Sequence, residues 1–185
     1  MPCLWLNYKM ERKLTEMNVH YEHKSVMTFI GFSAEIAPNE GYEKCPAFWE
    51  EAYEKKYARL WKTGIPETEE ERAVCSNQIG MYALCIMNAD NSFEYKISGL
   101  YTGGPVPAGM KLYEMPESDW AVFSAKGPMP GSLQQLNTEV WETWFPGEGQ
   151  KLEANGAATL EVYSAGDPRS DDYECGIWVP VKRKA

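Results

Sequence analysis

The residue types best suited to chemistry lie near the end of the chain. There the runs Thr159-Leu160-Glu161-Val162-Tyr163 and Tyr173-Glu174-Cys175-Gly176-Ile177-Trp178 each combine a carboxylate with aromatic rings. A carboxylate held among ring faces attracts cations. An ion pair at about 4 Å gains roughly 4 kcal/mol at an effective dielectric near 20, and each ring facing the cation adds about 0.5–2 kcal/mol. Both runs read as strands, so their side chains alternate: Thr159, Glu161 and Tyr163 share a face of the first, and Glu174, Gly176, Trp178 and Pro180 share a face of the second. Most strand glutamates are only the solvated positions of a half-buried sheet. Register separates the cases. One antiparallel register sets Glu161 opposite Glu174, where like charges share a proton or await a cation. The other matches Tyr163 with Tyr173 and Glu161 with Cys175; it is favoured, and it turns Glu174 away and leaves Glu161 as the single acid.

Other chemistries have less to work with. His20 and His23 are the two histidines, and three residues apart on a strand they face opposite ways, so no metal site is expected. Nucleophilic sites of the Ser-His-Asp or Cys-His kind need a well-placed histidine that neither supplies. Gly103-Gly104-Pro105 lacks the lysine and the following helix of a phosphate loop and reads as a hinge. No cofactor is expected. Five cysteines without a Cys-x-x-Cys pair, and no charged-then-apolar leader, fit a reducing cytoplasm. A net charge of −9 argues against a nucleic-acid partner. The longest apolar runs fall well short of the roughly 20 residues that span a membrane.

These side chains need a frame, and 185 residues make one domain. Residues 1–18 read as a tail or short helix, and 20–36 as a long bent strand broken at Gly31, followed by a loop at Asn39-Glu40-Gly41. Pro46 reads as the first residue of a helix running to about 62, with Trp49, Ala52, Tyr53, Tyr57, Leu60 and Trp61 on one stripe. Thr68 and Glu71 form a capping box, and strands follow at 79–87 and 93–101. Beyond the loop 102–109 the order repeats. Strand runs at 111–115 and 119–126 precede a helix opened by Ser132 and Gln135, with Leu133, Leu136, Val140, Trp141, Trp144 and Phe145 as its stripe, and then strands at 156–164 and 173–181. The spacing between matching elements is about 80 residues, a sign of internal duplication. The expected fold is α+β: duplicated strand–helix–strand–strand units, about 20–101 and 109–181, form a curved antiparallel sheet within a single domain at 19–183, with two main helices on one side. The space between the halves is the expected pocket.

The run GAATLEVYSAGDPRSDDYECGIWVPVK, with YKISGLYTGGPVPAGMKLYEMPESDWAVFSAKGPMPGSLQQ, VWETWFP and AFWEEAY upstream, resembles GyrI-like domains, the effector-binding domains of AraC-type and drug-sensing regulators. The resemblance covers about residues 20–183. It implies an aromatic pocket between the halves that takes lipophilic, often cationic small molecules against a buried acid, here Glu161. Tyr163, Trp178, Trp120, Trp141, Phe48 and Tyr82 are the candidate ring positions. Some relatives carry an acid where this chain has Gly176; Glu174, two residues earlier on the same face, is the possible substitute. The expected role is that of a stand-alone sensor or sequestering protein, without direct DNA binding and with any protein partner unknown. An alternative is a hydrolase of cyclopropane-bearing natural products, with Glu161 activating water.

Overall fold

The computed structural model describes residues 17–156 and 158–185. In chain order come β1 (Asn18–Lys24), β2 (Met27–Ile36) and α1 (Gly41–Trp49), which runs on as a π-helical segment, Glu50–Lys55. Next are α2 (Ala58–Thr63), α3 (Glu69–Ser76), β3 (Tyr82–Met87) and β4 (Phe93–Leu100). After the 102–109 loop stand β5 (Lys111–Met115), β6 (Ser118–Lys126) and α4 (Gly131–Thr138), again continued by a π-helical segment, Glu139–Trp144. β7 (Leu152–Ala154), β8 (Ala158–Tyr163) and β9 (Glu174–Arg183) complete it. Of the expected tail at 1–18, all but Met17 and Asn18 lies outside the described residues, and Asn18 already belongs to β1.

The strands form one antiparallel sheet in the order β1-β6-β9-β8-β3-β4-β2-β5, with β7 beside β9. This order reads the same from either end once β1, β2, β3 and β4 are exchanged for β5, β6, β8 and β9. The duplication is thus a pseudo-two-fold axis between β3 and β8, where Ala83 lies directly opposite Glu161. Sequence and register agree on the equivalences. Phe32-Ser33-Ala34 of β2 answers to Phe123-Ser124-Ala125 of β6, and Phe93-Glu94-x-x-Ile97 of β4 to Tyr173-Glu174-x-x-Ile177 of β9. Each half also has a leading strand that pairs with the other half, β1 with β6 and β5 with β2. These pairs keep one register from Asn18↔Ser124 to Gly31↔Lys111, so residues 18–31 and 111–124 make one long ribbon, broken at 25–26 and 116–117. The ribbon ties together the two ends of the sheet, and the sheet curls.

Both helical segments lie on one face. There Ile30, Ala83, Tyr95, Ile97, Phe123, Ile177 and Val179 pack with Tyr57, Leu60, Leu136, Val140 and Trp144. The inner face of the curl holds a second cluster of Phe29, Leu84, Met115, Trp120, Val122 and Leu160, made by strands alone among the described residues. Each of these fully buried side chains contributes about 1.5–3 kcal/mol.

Three local readings change. α1 begins at Gly41, so Pro46 sits inside it. A proline there leaves the carbonyl four residues back without its helical donor, and Tyr42 O instead accepts from Gln134 Nε2 of α4 at 3.2 Å. Ser132 does not cap its helix, because α4 starts one residue earlier and the Ser132 hydroxyl donates to Gly127 O at 3.0 Å. The strand breaks at 25–26 rather than at Gly31, which lies within β2 where the neighbouring strand comes so close that a Cβ would fall 2.0 Å from Ile97 O. The Thr68–Glu71 capping box is present as read.

Candidate functional site

Glu161 stands in a cross-sheet row on the helix face: Phe32, Ile97, Ala83, Glu161, Ile177, Phe123. Its neighbours Ala83 and Ile177 offer it no polar group. Its partners come from the next row and from across β3. Tyr95 of β4 and Tyr163 of β8 both donate their hydroxyls to Oε2, at 2.5 and 2.6 Å. Cys85 Sγ of β3 lies 3.9 Å from Oε1. Small Ala83 in the intervening strand lets Tyr95 reach across to the acid.

Trp49, the last residue of α1 before the π-helical segment, closes the arrangement from above. Its indole N–H donates to Tyr95 Oη at 2.8 Å, and its ring meets Tyr163 edge-on at 5.0 Å between centroids. Tyr53 continues the aromatic series, 5.2 Å from Trp49, and donates to Ile79 O at 2.6 Å. Phe48 lies edge-on to Tyr95 at 6.4 Å. π-helical turns collect at functional sites, and this one begins at the ring that roofs the acid.

Burial is the largest influence on the Glu161 carboxyl and raises its pKa; the hydrogen bonds from Tyr163, Tyr95 and Cys85 only partly offset it. Among the described residues, none of the groups acting on it is a cation. The residue as a whole is half-buried, and its carboxyl lies deep among protein atoms. Burial lifts the Tyr95 and Tyr163 hydroxyls well above the ordinary tyrosine value, so both remain donors. It lifts the thiols of Cys85 and of Cys45 on α1 as well, and neither is a ready nucleophile.

The expected site residues do not all gather here. Glu161, Tyr163 and Phe48 share the helix-face site. Trp120, Tyr82 and Trp178 lie on the inner face, with Tyr82 and Trp178 edge-on at 6.2 Å. Trp141 is 38% exposed and stacks on Phe145 at 4.9 Å. Glu174 is turned from Glu161, as the favoured register has it, but the pairing slides by two residues: Tyr163 opposes Cys175 and Glu161 opposes Ile177. Tyr95, Cys85 and Trp49 are not among the sequence candidates. Trp49 reads as stripe packing, and Tyr95 reaches the acid only through the β4-β3-β8 order, which short-range patterns do not contain. Among the described residues no group of three or more His, Cys, Asp or Glu is arranged to hold a metal, and no helix is long and apolar enough to cross a membrane.

A curled antiparallel sheet of two pseudo-symmetric halves, two helical segments on one face and an acid buried under aromatic rings together define a class of ligand-binding domains. The chain belongs to the GyrI-like small molecule binding domain family, whose sequence profile matches residues 17–182. Among solved structures it is similar to SAV2435 bound to tetraphenylphosphonium, with 23% identity and a TM-score of 0.69 over 89% of this chain and 94% of that one. It is also similar to a Staphylococcus aureus MU50 protein described in connection with bacterial transcription regulation, with 22% identity and a TM-score of 0.65 over 90% and 99% of the two chains. At these identities the likeness concerns the fold. In sequence it resembles the transcriptional regulator BrlR of Pseudomonas aeruginosa, 24% identical over 127 residues, or 66% of this chain. The chain spans 45% of that relative's length.

Proposed function

We propose that this chain binds lipophilic cations over Glu161, as a sensing or sequestering domain. The observation that carries the reading is a buried carboxylate whose partners are two phenols and a thiol, with no positive group acting on it among the described residues. Burial disfavours the bare carboxylate, so the site gains by taking up a cation from outside. The rings of Trp49, Tyr95 and Tyr163 supply apolar area and cation–π attraction without demanding one hydrogen-bond pattern, which suits ligands that share charge and flatness. Entry requires Trp49 to lift from Tyr95. That a structurally similar protein has been captured with tetraphenylphosphonium is in keeping with this reading.

The test is a fluorescence titration of the wild type and Glu161→Gln with tetraphenylphosphonium and with neutral triphenylphosphine oxide. The substitution keeps size and removes charge, so the cation should lose about tenfold or more in affinity and the neutral compound about twofold or less. Equal losses for both would make the acid structural. In the hydrolytic alternative, Glu161 is the base for water attacking a strained ring. In its favour is that both phenols converge on Oε2, leaving Oε1 with only the thiol. Consumption of a cyclopropane electrophile by the wild type and not by Glu161→Gln would support it.

A further inference from the structure

The inner face of the sheet carries polar groups that the Glu161 site does not use, and the two halves differ there in a telling way. In the first half Lys96 is almost wholly enclosed, its side chain 2% exposed, with Nζ 3.1 Å from Glu94 Oε1. Burial acts most strongly on Glu94 and opposes ionisation, but hydrogen bonds from Ser33 and Lys96 outweigh it and lower its pKa. An alkylammonium chain is thus held by a glutamate that a serine supports, over Leu84, its neighbour on β3.

The pseudo-two-fold equivalences carry this arrangement to the second half nearly intact. Ser33 becomes Ser124, Glu94 becomes Glu174 and Leu84 becomes Val162, while Lys96 becomes Gly176. The cradle is kept and its occupant is missing. At that place the surface has a hollow of about 210 Å³, whose lining includes His20, Glu22, Ser124, Glu174, Gly176 and Trp178. The charge is left over as well. Glu174 forms no ion pair among the described residues, although Lys126 stands opposite it in register, and Glu22 of β1, at the position equivalent to Tyr113 of β5, is a second acid already paired with Lys24 and His20. An ammonium already rests at the rim: Lys24 Nζ lies 4.3 Å from the centre of the Trp178 ring and pairs with Glu22.

We propose that this hollow is a second binding site, separate from Glu161 and on the opposite face of the sheet, for a small unbranched primary alkylammonium. Its alkyl chain lies against Trp178, and its ammonium meets Glu174 as Lys96 meets Glu94. Gly176 sends no side chain into the hollow; the Trp178 indole covers the place of its Cβ, with Nε1 3.3 Å from that point, so the ligand's chain lies along the indole rather than on the strand. Lys24 already engages the Trp178 ring and Glu22, so Glu174 is the acid left for a ligand, and its charge favours a cation over a neutral molecule of the same length.

The full chain is titrated with n-butylammonium, followed by NMR shifts of the Gly176 amide and the Trp178 indole. n-Butanol serves as the neutral control and tetramethylammonium as a cation without N–H donors. Saturable shifts at those two groups are expected, with n-butylammonium about tenfold or more tighter than either control. Glu174→Gln should lower n-butylammonium affinity by about tenfold and leave tetraphenylphosphonium titrations at Glu161 as they were. Gly176→Lys should abolish n-butylammonium binding by supplying the occupant within the chain. Should that variant fail to fold, the Glu174→Gln result still decides. Shifts that do not saturate, n-butanol binding as tightly, or an unaltered affinity in Glu174→Gln would each overturn the proposal, and none of them bears on the Glu161 site.

Discussion

The two halves share one frame and differ where chemistry is possible. Across the axis Glu161 answers to Ala83, Tyr163 to Cys85 and Tyr95 to Cys175, so an acid with two phenols stands beside a position offering a methyl group and thiols. On the inner face the imbalance is reversed: the first half holds the buried cation Lys96, and the second has Gly176 and a hollow. Residues that pack repeat, among them Phe32 with Phe123 and Ile97 with Ile177, while Glu161, its two phenols and Lys96 have no like counterpart. Duplication thus supplies a scaffold, and departures from symmetry mark the places where it has been put to use.

The hardest blow to that comparison comes from Gly31, whose counterpart is Val122. A Cβ at Gly31 would lie 2.0 Å from Ile97 O, which is backbone and cannot swing aside. Gly31→Ala is expected to cost about 3 kcal/mol or more in urea unfolding, while Val122→Ala loses only buried methyl groups; equal costs would mean that the close strand approach is not particular to the first half. Next in size is a pH effect that Ala83 cannot show. The folded state holds the Glu161 proton to a higher pH than the ordinary value of 4.5, so above 4.5 it binds more protons than the unfolded chain. The sign is therefore negative: this contribution is fully present below 4.5 and is lost as pH rises through the raised value, at about 1.4 kcal/mol for each pH unit that separates the folded value from the unfolded one. Glu161→Gln should remove that slope, read as the difference between wild-type and variant urea midpoints across the range. If the two profiles run parallel, the carboxyl is not desolvated. The smallest effect belongs to Trp120, whose mate is Phe29. Its Nε1 is buried and has no acceptor among the described residues, so Trp120→Phe removes an unsatisfied donor along with some packing and should change stability by about 1 kcal/mol or less.

Much of this was legible beforehand because it rests on local pattern. Repeated element order gave the duplication, strand alternation put Glu161 and Tyr163 on one face, and the Thr-x-x-Glu spacing gave the cap of α3. The crossing of leading strands was hidden, since β1 meets β6 only through pairing between positions such as His20 and Val122, which no window spans. The same blindness kept Tyr95 out of the site and grouped with Glu161 the rings of Trp120, Tyr82 and Trp178, which lie on the other face of the sheet. Alternation says which residues share a face within a strand; it takes inter-strand register to say which face that is.

The exchange of leading strands has a consequence for lineage. Two separate copies of one half, each lending its first strand to the other, would close the same sheet, so the connectivity is that of a strand-swapped homodimer whose subunits have been joined through residues 102–109. In such a dimer the residue at the axis would face its own copy, as Ala83 now faces Glu161. A glutamate there would come as two carboxylates side by side, and their repulsion would force one to stay protonated. Joining the subunits into one chain removes that constraint, because two halves encoded separately can carry an acid on one side of the axis and a methyl group on the other, as two identical copies cannot.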